Sequence, residues 1–142
     1  MTCGKLPGEC RRVLRRGGRL FLRTATREQI SNYPYIPFFP ANRRLLEGCL
    51  PSLGSAREAF EQAAFRHIFT GIIVQQIAPD HGAYADKLAC GADSILAQLD
   101  PAEFAAGLEA IRMKHGAAGT PGAVVEPIDF VVLERHTDSP NQ

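Results

Sequence analysis

Seven side chains with guanidinium, hydroxyl or aromatic groups follow one short apolar strand in the sequence. They are Arg23, Thr24 and Thr26 at the end of the strand, and Tyr33, Tyr35, Phe38 and Phe39 in the segment after it. Aromatic rings can wall a small-molecule pocket, and tyrosine hydroxyls can orient the molecule inside it. Because ligands of open α/β sheets favour the carboxyl ends of the strands, these seven residues form the candidate binding site. The alternative is that the aromatic rings only cover the sheet edge or anchor a lid.

The aromatic segment, residues 32–40, contains Pro34, Pro37 and Pro40. Proline lacks a backbone N–H and disfavours a regular helix or a central strand. Each residue before a proline is biased towards extended geometry. The sequence therefore predicts an extended, semi-rigid loop here.

The strand that precedes these side chains follows a helix and a Gly-Gly turn. Cys10, Val13 and Leu14 have the spacing of one apolar helical stripe, which predicts a helix over Glu9–Arg16. Gly17 and Gly18 come where a helix commonly ends in a left-handed residue. The apolar run at Leu20–Leu22 then predicts a strand over Arg19–Ala25.

Hydrophobic periodicity and capping residues predict the remaining elements. Three predicted helices have clear bounds: Arg27–Ser31, Ala41–Cys49 and Pro101–His115. A fourth begins with a capping box at Ser55 and Glu58 and ends near Ala64. A fifth starts at Asp80, and its apolar side consists of Tyr84, Leu88, Ala92, Ile95 and Leu99. The predicted strands are Phe65–Ile77 and Pro127–Arg135. This layout is α/β, with the first two strands parallel. Periodicity does not give the direction of the third strand. We predict a single domain over residues 1–136, a frayed start before Glu9 and a disordered tail at 137–142.

Composition limits the function classes. The chain has 142 residues and a formal net charge of +1, so no strong global field marks it as a nucleic-acid or membrane binder. No apolar run approaches the roughly 20 residues that span a bilayer, and no apolar signal region follows Met1. We therefore predict a cytoplasmic protein. The four cysteines lack Cys-x-x-Cys spacing, so we predict reduced thiols, with no disulfide framework and no metal site.

Four stretches resemble consecutive parts of one enzyme family. ECRRVLRRGGRLFLRTAT (9–26) resembles the helix-turn-strand that ends the common core of class I S-adenosylmethionine-dependent methyltransferases of the small-molecule type. Residues 12–15 and the Gly-Gly pair match that family's phrase, while Arg16 replaces its usual proline. FEQAAFRHIF (60–69) is similar to the family's next helix and sixth strand, YADKLACGADSILAQLDPAEFAAGLEAI (84–111) to an appended helical pair, and EPIDFVVLER (126–135) to the seventh strand.

This resemblance implies a three-stranded partial Rossmann-like methyltransferase sheet with flanking helices. Its last strand is expected to be antiparallel and to lie between the other two. The family usually joins the helix to the sixth strand through Gly-Phe. Because Ala64-Phe65 stands here instead, we expect the helix to stop with a different geometry.

The resemblance also implies S-adenosylmethionine as cofactor and a small-molecule methyl acceptor, bound by the seven candidate residues. The family's cofactor loop, Gly-x-Gly-x-Gly, does not occur in the sequence. We therefore expect the chain to correspond to the C-terminal half of such an enzyme, to contain no cofactor-binding residue and to bind little cofactor alone. Methyl transfer depends mainly on positioning, so no catalytic residue is assigned, although His67 and His81 are candidates for an optional base.

Partner predictions centre on the first strand. In the family this strand is interior, so one of its edges is expected to be open here and to pair with its own copy, with another chain or with a terminal segment. The main alternative function is accordingly a non-catalytic dimerisation or interaction module. A third reading is nucleic-acid binding by the arginines at 11, 12, 15, 16, 19, 23 and 27. We do not expect this function, because the solvated face of a helix commonly carries such residues and no nucleic-acid-binding motif is present.

Overall fold

The computed structural model describes residues 5–91, 93–117 and 122–137. Its elements, in chain order, are α1 (Lys5–Val13), β1 (Arg19–Thr24), a 3-10 helix (Arg27–Asn32), α2 (Asn42–Cys49), α3 (Leu53–Gln62), β2 (Phe65–Ala78), α4 (His81–Ala89), a second 3-10 helix (Leu96–Gln98), α5 (Pro101–Ala117) and β3 (Val124–Arg135). Of the predicted tail at 137–142, residues 138–142 lie outside the described residues.

Across the described residues, three strands form one antiparallel sheet in the order β1-β3-β2. In the β1–β3 pair, Arg19 lies opposite Glu134 and Thr24 opposite Asp129. Since β1 and β2 are both antiparallel to β3, they point the same way without being neighbours. The predicted α/β class, the antiparallel last strand and its central position are therefore confirmed.

The chain divides into two compact units. The first unit contains residues 1–26, 51–73 and 128–142, and the second contains residues 27–50 and 74–127. The prediction of a single domain is not tested by this division.

The core of the first unit forms where α3 meets the sheet. Phe60 of α3 and Phe65 of β2 lie edge to face, with ring centroids 5.6 Å apart. Val131 and Leu133 of β3 complete the buried cluster. This cluster places the apolar faces of β1 and α1 against β3, because Leu20, Leu22, Cys10 and Leu14 all pack on it.

The opposite face of this sheet carries charges and exposed apolar groups. Glu134 of β3 accepts a hydrogen bond from Arg66 of β2 at 2.6 Å and lies 3.7 Å from the Arg19 guanidinium of β1. The bond from Arg66 is the main cause of a lowered pKa for the Glu134 carboxyl. Phe21 stacks on Phe130 at 6.0 Å and remains 62% exposed. On this face the ion pairs of Glu134 and the Phe21–Phe130 stack thus link neighbouring strands.

The turn between α1 and β1 follows the glycine pattern. Gly17 has φ +69°, in the left-handed region, and its N–H donates to the Arg135 carbonyl. The helix itself begins at Lys5 and ends at Val13, so the predicted bounds of Glu9 and Arg16 are wrong. Val13 is 67% exposed, so the apolar stripe consists of Cys10 and Leu14 without Val13.

The junction between α3 and β2 corrects a second expectation. Ala64 adopts φ +64°, the left-handed conformation that glycine takes at a helix end. The predicted change of geometry at this position is therefore wrong, and the alanine bears the strain instead. At the other end of α3 the capping residue is Ser52, whose hydroxyl accepts the Ser55 N–H, so the predicted capping box at Ser55 lies inside the helix.

Two further elements differ from their predicted bounds. The long helix from Asp80 stops at Ala89, because Gly91 turns left-handed with φ +74°; a short 3-10 helix follows at Leu96. Strand β3 begins at Val124, earlier than the predicted Pro127. This extension places Glu126 in the sheet.

Candidate functional site

A cavity of about 160 Å³ lies within the second unit. Its walls come from the aromatic segment, β2, α4, the segment before the second 3-10 helix, and β3. The lining residues are Tyr35, Ile77, Tyr84, Lys87, Leu88, Asp93 and Glu126. It thus joins two phenols, two carboxylates and one ammonium group to an apolar wall.

Helix α4 presents three of these side chains. Its first turn is fixed by Asp80, whose carboxylate accepts the Ala83 N–H at 2.8 Å. Tyr84, Lys87 and Leu88 are spaced i, i+3 and i+4, so they share one helical face. Tyr84 and Leu88 are buried, whereas the exposed Lys87 reaches the Ile77 carbonyl with its Nζ, at 3.2 Å. Capping and helical spacing therefore suffice to direct this face to the cavity.

Each carboxylate is held through one of its oxygens. Asp93 Oδ1 accepts the backbone N–H groups of Ile95 and Leu96, at 2.8 and 3.0 Å. Glu126 Oε1 accepts the amide of Gln75 on β2, at 2.8 Å. Within the part of the chain that the structure describes, no hydrogen bond to the second oxygen of either carboxylate occurs, so these oxygens are available to a ligand.

Both phenols of the cavity stay neutral at physiological pH. Burial, and then the charge of Asp93, raises the pKa of Tyr35 above its ordinary value; Tyr33 and Glu126 add to the rise and the Asn42 amide opposes it. Burial, and then the charge of Glu126, raises the pKa of Tyr84. The hydroxyls therefore act as hydrogen-bond donors and acceptors beside the carboxylates.

The aromatic segment forms a series of tight turns, so the prediction of an extended loop is wrong. The Ile36 N–H donates to the Tyr33 carbonyl at 3.1 Å, and the Phe38 N–H donates to the Tyr35 carbonyl at 2.9 Å. Proline fixes φ near −65°, which suits tight turns as well as extended chain. These turns place Tyr35 in the cavity wall.

The other aromatic candidates of this segment have packing partners within the second unit. Tyr33 is buried, with its ring centroid 5.9 Å from that of Tyr35. Phe38 lies under the Lys114 ammonium, which is 5.5 Å from the ring centroid. Phe39 is fully buried and stacks on Phe104 at 5.8 Å.

The three candidates that follow β1 belong to the first unit. Arg23 is exposed on β1. Thr24 is half-buried, donates its hydroxyl to the Ala25 carbonyl at 3.2 Å and lines an apolar groove of about 80 Å³. Thr26 is fully buried and donates to the Asp129 carboxylate at 2.5 Å. A substrate-binding role for the seven candidates stays a prediction.

The histidines His67 and His81 are not among the lining residues of the cavity. The ring of His67 lies 2.8 Å from the Thr70 hydroxyl on β2, and His81 is the first residue of α4. Among the described residues, no group of three or more His, Cys, Asp or Glu side chains is placed to hold a metal ion. Over the same residues, no helix is long and apolar enough to span a membrane.

Six of the seven cavity residues are absent from the candidate site that the sequence predicts, and four of these six have a polar or charged group. The sequence pattern places Tyr84 in an apolar stripe, and Lys87 receives no role, although its i+3 spacing from Tyr84 is a usable signal. Asp93 and Glu126 carry no local signal, because the cavity joins them only through the tertiary fold.

No protein-family model matches the sequence, and no curated protein matches it. One solved structure to which the chain is similar is that of a Haemonchus contortus protein, phospholethanolamine N-methyltransferase 2, in complex with phosphomonomethylethanolamine and S-adenosylhomocysteine. It is 13% identical, with a TM-score of 0.37, over 94% of this chain and 30% of that chain. The chain thus spans under a third of that protein's length.

Proposed function

We propose that this chain forms the acceptor-binding side of an S-adenosylmethionine-dependent methyltransferase and that its cavity holds a small-molecule acceptor. The observation that carries the proposal is the strand order β1-β3-β2 with an antiparallel central strand. The resemblance of the Gly-Gly segment to the methyltransferase core implies this arrangement for the last three strands.

The cavity does not fit the cofactor. Pockets for drug-sized ligands measure roughly 300–1,000 Å³, and the cavity measures about 160 Å³. The part that we assign to this chain is to enclose the acceptor, orient it through Tyr35 and Tyr84, and exclude water. Positioning of this kind can supply much of the catalysis of a group transfer.

A labelled-methyl assay tests this function. The chain is incubated with small-molecule candidates at millimolar methyl-labelled S-adenosylmethionine, so that concentration offsets weak cofactor binding. We expect slow transfer of label to a small molecule, and we expect Ile77→Phe, which fills the cavity, to abolish it. The exposed α1 variant Val13→Lys is the matched control and should keep the rate. Absence of label from every small-molecule fraction would overturn the proposal.

A second candidate function is an interaction module, and the position of β1 at the sheet edge favours it. This strand pairs with β3 on one side, and its Phe21 side chain is largely exposed. Open strand edges are templates for pairing with another chain. Isothermal titration with S-adenosylmethionine separates the two candidates, because a pure interaction module gives no heat even at millimolar cofactor.

We also propose a cytoplasmic location. Cys10, Cys49 and Cys90 are free thiols, and free thiols are typical of reducing compartments. Fractionation of cells that express the tagged chain tests this, and recovery in a membrane or secreted fraction would contradict it.

A further inference from the structure

The cavity of the second unit has the electrostatics of a cation site. Asp93 and Glu126 face it with two negative charges, against the single positive charge of Lys87. Lys87 lies at the solvent side and already donates to the Ile77 carbonyl. The available carboxylate oxygens, Asp93 Oδ2 and Glu126 Oε2, can each accept a charge-assisted hydrogen bond.

Tyr84 adds an independent observation. Its side chain is 98% buried and lines the cavity. Its hydroxyl interacts electrostatically with Glu126 and Asp93, yet no hydrogen bond of this hydroxyl occurs in the part of the chain that the structure describes. Because this side chain lines the cavity, its hydroxyl is placed to bond to a ligand there.

Size and lining restrict the ligand class. A cavity of about 150 Å³ is large enough for benzene, so this one admits a molecule with a few non-hydrogen atoms. Ile77, Leu88 and the two tyrosine rings favour an organic group over a bare metal ion, which in the case of Ca²⁺ takes about six to eight oxygen ligands. Aromatic faces also attract organic cations. The two carboxylates repel organic anions of the same size.

We propose that this cavity binds a small organic ammonium ion, with its N–H groups on Asp93 and Glu126 and its alkyl group against Ile77 and Leu88. If the chain binds a methyl acceptor as proposed above, on which this further assignment rests, the acceptor is an amine. The binding claim itself needs only the cavity.

Binding of n-butylammonium chloride tests the claim, with n-butanol and sodium butyrate as matched neutral and anionic ligands. Calorimetry in phosphate buffer at constant ionic strength avoids competing amines. We expect n-butylammonium to bind at least ten-fold more tightly than either analogue. Equal affinity for n-butanol would show a merely apolar cavity and overturn the proposal.

Three variants locate the site. Asp93→Asn keeps the oxygen that caps the 3-10 helix, and Glu126→Gln keeps the shape of the side chain. Each should weaken n-butylammonium binding about ten-fold, the value of one charge-assisted hydrogen bond. Glu109→Gln makes the same chemical change on the exposed face of α5 and should leave binding unchanged.

Lys87→Met gives a result that loss of folding cannot imitate. Removing the competing positive charge while keeping the apolar stem should tighten n-butylammonium binding several-fold, and weaker binding in this variant would contradict the proposal. The labelled-methyl assay then distinguishes the two failures. Binding of n-butylammonium without any methyl transfer refutes the proposed function alone. Methyl transfer only to molecules that are not amines refutes the assignment of the acceptor to the amines alone, and the affinity comparison with n-butanol decides the ammonium site itself.

Discussion

At the scale of single residues, Thr24 and Thr26 show how similar side chains near the end of one strand can have different roles. The Thr26 hydroxyl is buried and donates to the buried Asp129 carboxylate. Thr26→Val keeps the shape but removes this donor, so it should lower the free energy of unfolding by about 1.5–3 kcal/mol. Denaturant unfolding measures the change.

The matched control for this prediction is Thr24→Val. Among the described residues, the Thr24 hydroxyl bonds only to the neighbouring Ala25 carbonyl, so the expected change is within about 0.5 kcal/mol. Equal losses in the two variants would show that the Thr26–Asp129 bond has no special value. A structural role for Thr26 would also explain its burial without a substrate.

The two cavity tyrosines predict a loss of stability at high pH. Because folding raises the pKa of Tyr35 and Tyr84, their contribution is complete below the unfolded-state value of about 10 and falls as the pH rises above it. The free energy of unfolding should therefore decrease between about pH 9 and pH 11. In the Tyr84→Phe variant the free energy of unfolding should decrease less steeply with pH. Ultraviolet titration of tyrosinate provides the second measurement, and ionisation of every tyrosine near pH 10 in the folded protein would contradict the prediction.

At the scale of elements, α3 is followed by an alanine in a strained backbone conformation, and glycine at this position would relieve the strain. Ala64 has φ +64°, where an L-residue is strained by roughly 1–2 kcal/mol. Ala64→Gly should therefore stabilise the protein by about 0.5–1 kcal/mol, after allowance for the greater entropy of glycine in the unfolded chain. Thermal or denaturant unfolding measures this gain.

Ala63, the preceding residue, is the internal control. It has φ −88°, where glycine brings no relief, so Ala63→Gly should destabilise by about 0.5–1 kcal/mol. Opposite signs at two adjacent alanines are the expected outcome. The same sign at both positions would show that the left-handed turn is not the cause.

Helix α5 contains a glycine, Gly107, at a position that has no room for a side chain. A Cβ on Gly107 would meet the buried Phe39 ring, with Cζ at 2.7 Å. Alanine normally stabilises a helix relative to glycine by about 1 kcal/mol, but here overpacking should cause a net loss of about 1–3 kcal/mol. On α2, a Cβ added at Gly48 would meet nothing within 4 Å, so Gly48→Ala should be neutral or stabilising in the same unfolding measurement. A gain in stability from Gly107→Ala would contradict the packing argument.

Elements are more predictable from this sequence than the site is. Strong local signals predict β1, β2 and the Gly17 turn, since apolar runs and glycine act over a few residues. The end of α4 is not predicted, because the apolar stripe continues past Gly91 and hydrophobic periodicity therefore gives no sign that the helix stops. Most of the cavity is not predicted either, because Asp93 and Glu126 lie far apart in the sequence and meet only in the folded unit.

At the scale of the whole molecule, β1 lies at the edge of the sheet, where we expect association with a second copy. Its side chains alternate between half-buried and exposed, so the strand offers both a backbone edge and an apolar group at Phe21. Pairing with a second copy about a two-fold axis would satisfy both edges at once. We therefore expect a concentration-dependent dimer in sedimentation equilibrium.

Substitution of Phe21 by lysine tests this dimer, because edge lysines are a natural protection against strand pairing. Phe21→Lys should raise the dimer dissociation constant by about ten-fold or more, since aromatic groups are frequent hot spots of interfaces. The fold should persist, because the side chain is already 62% exposed. Val13→Lys, at a position 67% exposed on α1, introduces the same charge away from the sheet edge and should leave dissociation unchanged. If both variants and the unmodified chain sediment as monomers at every concentration, β1 is not a site of self-association and the interaction-module alternative loses its structural basis.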